Sequence, residues 1–183
     1  MRLNKRFVTL AALAGAIAAL SIAAFAAVAP ATYTPNATSF NSANAPGSSH
    51  LTSGSPSCTV NANLSISCSG YVLGGVGNTN AVVSLTASYT ATIDCTNKGG
   101  NTVESHTSTF SDSSSATLTP SRNGQLIVDP RSVSPFSAPQ VCPNPNWTPS
   151  IRPGSLVLNS FTYTLTFVGF PNAYITIDGI AGN

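Results

Sequence analysis

From Ala81 to Cys95 the chain alternates apolar and polar side chains. Ala81, Val83, Leu85, Ala87, Tyr89, Ala91, Ile93 and Cys95 take the odd positions. Ser84, Thr86, Ser88, Thr90, Thr92 and Asp94 take the even ones. Side chains along a strand point to opposite faces in turn, so this pattern specifies a strand with one core face and one hydroxyl-rich face. Residues 157–167 repeat the pattern: Val157, Phe161, Tyr163, Leu165 and Phe167 lie opposite Ser160, Thr162, Thr164 and Thr166. Ala173, Ile175 and Ile177 make a short last strand, ended by Asp178-Gly179.

Weaker strands are readable at 58–61, 64–73, 102–110, 116–119 and 125–128, and 133–142 is a further candidate. Turn signals separate them: Ala62-Asn63, Gly74-Gly75 to Asn78, Asn97 to Gly100, and Asn123-Gly124. About seven to nine short strands over residues 58–183 indicate an all-β domain, a Greek-key β-sandwich. The architecture expected is immunoglobulin-like but the motif is not, because Trp147 follows the last cysteine instead of lying between two of them.

The N-terminus is of another kind. Arg2, Lys5 and Arg6 precede an uncharged Ala-rich run, and Ala24-Phe25-Ala26 is a small-x-small processing site. This order predicts a signal peptide, 1–26, with Ala27 as the first mature residue. Left uncut, the run would be long enough to anchor the chain in a bilayer. Residues 27–57 are Ala, Ser, Thr, Asn and Pro without sustained periodicity, and are expected to form a flexible spacer containing a solvated His50.

Only 7 % of the residues are charged, against about 25 % in ordinary soluble domains. So little charge excludes a coiled coil, a charged disordered tail and a polybasic nucleic-acid arm. The formal net charge of +2 belongs to the precursor. Cleavage leaves Lys98, Arg122, Arg131 and Arg152 against Asp94, Glu104, Asp112, Asp129 and Asp178, a net charge of −1.

All four cysteines fall in the predicted domain, and export makes disulfides the default. Three connectivities exist. A hairpin about Ala62-Asn63 sets Cys58 opposite Cys68 and Val60 opposite Ile66, which favours Cys58–Cys68 with Cys95–Cys142. The second bond would tie the long strand to the Pro-rich loop 142–149. No two Cys or His have metal-ligand spacing, so no metal site and no cofactor is expected.

The segments Gly74-Gly75-Val76-Gly77-Asn78-Thr79-Asn80-Ala81, Tyr89-Thr90-Ala91, Cys95-Thr96-Asn97, Gly99-Gly100-Asn101, Cys142-Pro143-Asn144-Pro145-Asn146-Trp147 and 161–170 resemble an uncharacterised family of small secreted microbial two-disulfide β-proteins. The resemblance covers roughly 58–178. It implies secretion and a shared fold, and carries no catalytic residue over.

The candidate chemistry is sparse. Folding back at Asn97–Gly100 is expected to bring Asp94 near Glu104, with His106 on the same face as Glu104. Two carboxylates and an imidazole suit acid–base hydrolysis or a Ca²⁺ site, but five scattered acids supply few oxygens and a solvated face is the simpler expectation. No G-x-S-x-G occurs, and Gly74 to Gly77 joins two strands, which is not a phosphate loop. Trp147, with Tyr71, Phe136, Phe170 and Tyr174 near strand ends, is a candidate stacking platform for sugars; the alternative is that Trp147 plugs the sandwich end beside Cys142. The leading expectation is a secreted, extracellular, non-enzymatic protein with a structural, adhesive or surface-interaction role. A carbohydrate-binding module comes second and a small hydrolase third. The partner expected is a glycan or another surface protein, with no nucleic acid and no stable membrane insertion after cleavage.

Overall fold

The computed structural model describes residues 29–137 and 140–180. The expected signal peptide, 1–26, lies outside the described residues. The chain is all-β: β1 (Ala31–Tyr33), β2 (His50–Gly54), β3 (Cys58–Val60), β4 (Ile66–Cys68), β5 (Tyr71–Gly74), β6 (Ala81–Thr96), β7 (Thr102–Leu118), β8 (Leu126–Val128), β9 (Arg131–Val133), β10 (Thr148–Ile151), β11 (Val157–Phe167) and β12 (Ile175–Ile180). A 3-10 turn at Ser42–Asn44 is the one helical piece among the described residues.

β6 is the spine of a five-stranded sheet. It pairs with β7 along one edge, and with β11 and then β10 in line along the other; β12 pairs with β11. Every odd position of β6 is buried, as its alternation requires. Opposite lie two smaller sheets, β1-β3-β4-β9 and β2-β5-β8. They read as two halves of one layer, since β2 runs into β3, β4 into β5 and β8 into β9 across short kinks. At the kinks the backbones close up. A Cβ on Gly54 (φ +76°) would lie 2.9 Å from the Gly70 carbonyl, and one on Gly70 would lie 2.9 Å from the Val128 carbonyl. Ser69 bridges the same kink, its N–H donating to the Ser57 carbonyl at 2.9 Å and its hydroxyl to the Ser55 carbonyl at 2.6 Å. This explains why 64–73, expected as one strand, divides into β4 and β5.

The core fills the space between the layers. Ile66, Leu73, Leu126 and Val128 face Val83, Leu85, Tyr89, Phe161, Tyr163 and Leu165, all buried. Its polar atoms are paired with each other or with the backbone: Tyr71 and Tyr163 share a hydroxyl–hydroxyl bond of 2.9 Å, and Tyr89 donates to the Leu64 carbonyl. Burial pushes the phenols of Tyr71 and Tyr163 above the ordinary tyrosine range. Both disulfides form as the hairpin argument implied, Cys58–Cys68 and Cys95–Cys142. Cys58 stands opposite Cys68, and Val60 opposite Ile66.

Three other expectations are corrected. Residues 27–57 are not a spacer in the part described. β1 pairs with β3 and β2 with β5; Tyr33 packs edge-on against Phe161 at 5.2 Å, and Ala45 is buried. The segment lacks its own periodicity because it supplies edge pairing, which draws on backbone groups more than on side chains. Thr102–Leu118 form one strand, β7, instead of two, because the long β6 templates it through Ser111–Ser115. Asp178-Gly179 does not end β12: Gly179 pairs with Phe161, and an added Cβ would meet the Phe161 ring at 2.1 Å. That glycine serves a close approach, not a turn. The same structure turns the Pro-rich loop 142–149 into a strand at its end, β10.

Two outcomes follow. A chain beginning at Ser57, which lacks β1 and β2, loses roughly 10 °C of Tm by calorimetry, as expected for a few kcal/mol in a domain of this size. Leu165→Ala on the core face costs about 2–5 kcal/mol in urea unfolding, while Thr164→Ala on the opposite face stays within about 0.5 kcal/mol.

Candidate functional site

The structure separates the expected acid–base group. Asp94 stands opposite Ser105 on the solvent face of the sheet, whereas Glu104 stands opposite Cys95 and His106 opposite Ile93 on the inner face. The reason is one residue. Thr96 pairs with Thr102 but Cys95 with Glu104, so Val103 bulges out of the ladder. In step with Thr96–Thr102, Asp94 would have faced Glu104 as expected. A one-residue shift moves a strand's side chains to the other face, so the bulge places Asp94 across the sheet from both candidates.

Each half is then engaged locally. Arg152 binds Asp94 through both oxygens, Nε to Oδ2 at 3.1 Å and Nη2 to Oδ1 at 2.7 Å, and the Ser105 hydroxyl donates to Oδ1 at 2.6 Å. The turn after β10 delivers Arg152, whose N–H donates to the Thr92 carbonyl at 2.8 Å. The Arg152 hydrogen bonds, then that from Ser105, hold the Asp94 carboxyl below the usual range. On the inner face Glu104 and His106 are 3.8 Å apart, both partly exposed, and His106 Nδ1 has no hydrogen-bond partner among the described residues. His50 is exposed on β2, with Nδ1 2.8 Å from the Ser48 carbonyl. Among the described residues no three His, Cys, Asp or Glu side chains gather in a way that would hold a metal ion.

Most of the expected aromatic platform is core. Tyr71 and Tyr174 are buried, and Phe170 packs edge-on against Phe167. Trp147 is half-buried against the patch formed by Ala91, Ile93 and Cys95, beside Cys142 and Ile151. It covers the end of the β6–β7 hairpin, which runs beyond the second layer. Phe136 alone of the five is well exposed, at 55 %.

Sequence reasoning did not single out Asp112. It faces inward from β7 into a cleft of about 330 Å³ lined by Asn63, Ser65, Ser67, Ser132 and Ser134. Its oxygens accept from the N–H groups of Ser113 at 3.0 Å and Ser134 at 2.9 Å. A signal existed: β7 is polar at even and odd positions alike, which marks a strand whose inner face is only partly covered. The cleft offers one carboxylate, an amide and several hydroxyls, a hydrogen-bonding surface suited to a hydroxylated ligand.

The Asp94 arrangement has a measurable consequence. Its pKa is lowered on folding, so the pair's contribution is present above the unfolded carboxylate range and fades as pH falls through the folded value. In a carboxyl ¹³C NMR titration Asp94 titrates below a free aspartate, and Arg152→Ala moves it back up towards the ordinary value. An unmoved titration would show that Arg152 is not the cause.

The chain matches no known family model, no curated protein and no solved structure.

Proposed function

We infer that this is an exported, non-enzymatic β-sandwich protein that acts by contact, in a structural, adhesive or surface-interaction role. The observation that carries the reading is the outer face of the large sheet. Ser115, Ser84, Thr164 and Thr176 form one row across four strands, followed by Ser113, Thr86, Thr162 and Asp178, then Ser111, Ser88 and Ser160. Strands lie about 4.8 Å apart and alternate residues just under 7 Å apart, so the hydroxyls form a regular two-dimensional grid. A β-branched threonine on a paired strand has little rotamer freedom left to lose. Such a grid suits many weak hydrogen bonds to a hydroxyl- or amide-bearing surface. Export is supported by the two disulfides, which persist in oxidising compartments. No helix of the described residues is long and apolar enough to cross a membrane. A second reading, glycan binding, rests on the polar cleft around Asp112 and on the exposed Phe136 more than on Trp147.

Replacing the grid tests the reading. Thr86→Lys with Thr162→Glu sets opposite charges across one strand pair, which preserves pairing while removing two hydroxyls. Cell-surface fractionation is expected to find the wild type retained on washed exporting cells and the variant at least tenfold depleted there. Identical fractionation of the two would remove the contact reading. N-terminal sequencing of the exported chain is expected to begin at Ala27.

A further inference from the structure

The two outer edges of the large sheet are treated differently. Along β12, residues 36–40 cover the edge: Asn36 N–H donates to the Thr176 carbonyl at 2.9 Å, Thr176 N–H to Ser39 Oγ at 2.9 Å, and Phe40 N–H to the Tyr174 carbonyl at 2.7 Å. Along β7, the backbone ladder is to β6 alone among the described residues, and of the outward N–H groups that of Ser113 donates to Asp112 Oδ1 at 3.0 Å. Ser105, Thr107, Thr109, Ser111, Ser113, Ser115 and Thr117 are all exposed. β7 is 17 residues long and contains no Pro, Gly, Lys or Arg. Lysine, proline and bulges are devices with which proteins blunt an open edge; inward-pointing charges are another, and here Glu104 and Asp112 point inward, so a partner strand has to answer them. The one bulge, at Val103, sits at its start and leaves the rest regular.

We propose that this edge binds a second copy of the chain, β7 against β7 in antiparallel pairing about a two-fold axis. The side-chain pattern selects both the partner and the register. A two-fold pairing keeps the hydroxyl face continuous only if even positions meet even ones, because a one-residue slip inverts the faces. With Thr109 on the axis, His106 faces the second copy's Asp112, and symmetry makes that contact twice. Moving the axis to Ser108 sets Glu104 against Asp112, two like charges. Moving it to Phe110 leaves His106 against Ser114, with no carboxylate opposite it. The Thr109 register thus sets a carboxylate against an imidazole over a long overlap, residues 104–114 of each copy. It also brings a carboxylate beside the partly exposed ring of His106. Asp112 keeps its bond from Ser134 and gives up the one from Ser113, whose N–H turns to the carbonyl of the second copy's Ser105. The two five-stranded sheets become one, and their hydroxyl rows run across both copies.

The exported chain with both disulfides intact tests this by sedimentation equilibrium. A dimer is expected. His106→Asp, which opposes acid to acid twice, raises its dissociation constant about tenfold. Thr109→Cys puts a thiol on the axis, within disulfide reach of its twin, and cross-links to a covalent dimer under mild oxidation. Ser113→Cys, whose twin lies far along the strand, stays uncross-linked. Thr109 and Ser113 are exposed, and near-UV circular dichroism checks that both variants keep the fold. A monomer at every concentration, open-ended fibres, or equal cross-linking of the two cysteine variants overturns the proposal. Neither Thr86 nor Thr162 lies on β7, so the surface-contact reading is tested separately.

Discussion

The fold depends on the one-sided burial of β6. Eight side chains from Ala81 to Cys95 point into the protein and all are buried to within 1 %. Slipping that strand by one residue would bury a row of hydroxyls and a carboxylate and expose Leu85, Tyr89 and Ile93, so its register has no competitor. That fixed register is passed on. β7 is paired along its length, and β11 and β10 share the other edge. The position of every site residue on β7, β10 and β11 follows from a ladder that begins on β6.

Legibility in the sequence tracked the side-chain signal. β6, β11 and the Cys58–Cys68 hairpin were readable because each buries one face, and burial writes a period of two into the residues. β1 and β2 were not, since they serve mainly as backbone partners and carry few core side chains. β7 was read as two strands because its middle, Ser111–Ser115, has no apolar member to mark it. Its conformation comes from β6, and tertiary context overrides local preference in strands readily. Kinks and close approaches were equally silent. Gly179 looks like a turn residue until Phe161 is placed over it.

The candidate site shows how little a local error must be to change the chemistry. A hairpin without a bulge would group Asp94, Glu104 and His106. Val103 adds one residue to one strand, and Asp94 goes to solvent with Arg152 while the other two go inward. Arg152 could not have been paired with Asp94 from the chain alone, because it arrives from a strand hidden in a Pro-rich stretch. The acid that does sit in a cleft, Asp112, carries no mark in the sequence, because no second titratable residue flanks it. What marks it is its surroundings, hydroxyls drawn from β4, β9 and the segment after β9, which only the fold assembles.

The β6–β7 hairpin extends past the layer that covers the rest of the sheet, and this overhang ties the parts together. Its inner face would be wet were it not for Trp147, Ile151 and Leu156, which pack on Ala91, Ile93 and Cys95. The segment that brings them is held by Cys95–Cys142, with a sequence separation of 47. Closing a loop of that length removes about 4 kcal/mol of unfolded-state freedom in the chain-entropy model. The disulfide therefore does what a larger core would do elsewhere: it keeps a thin cover on a strand pair that has outrun its second layer. The overhang in turn sets Asp94 and Arg152 at the far end of the hydroxyl grid, and with Asp178 on the marginal strand β12 it leaves the middle of the grid, Thr86, Ser88 and Thr90, without a charge. A face meant to lie against another surface benefits from that arrangement, since a charge in its middle would have to be desolvated at each contact.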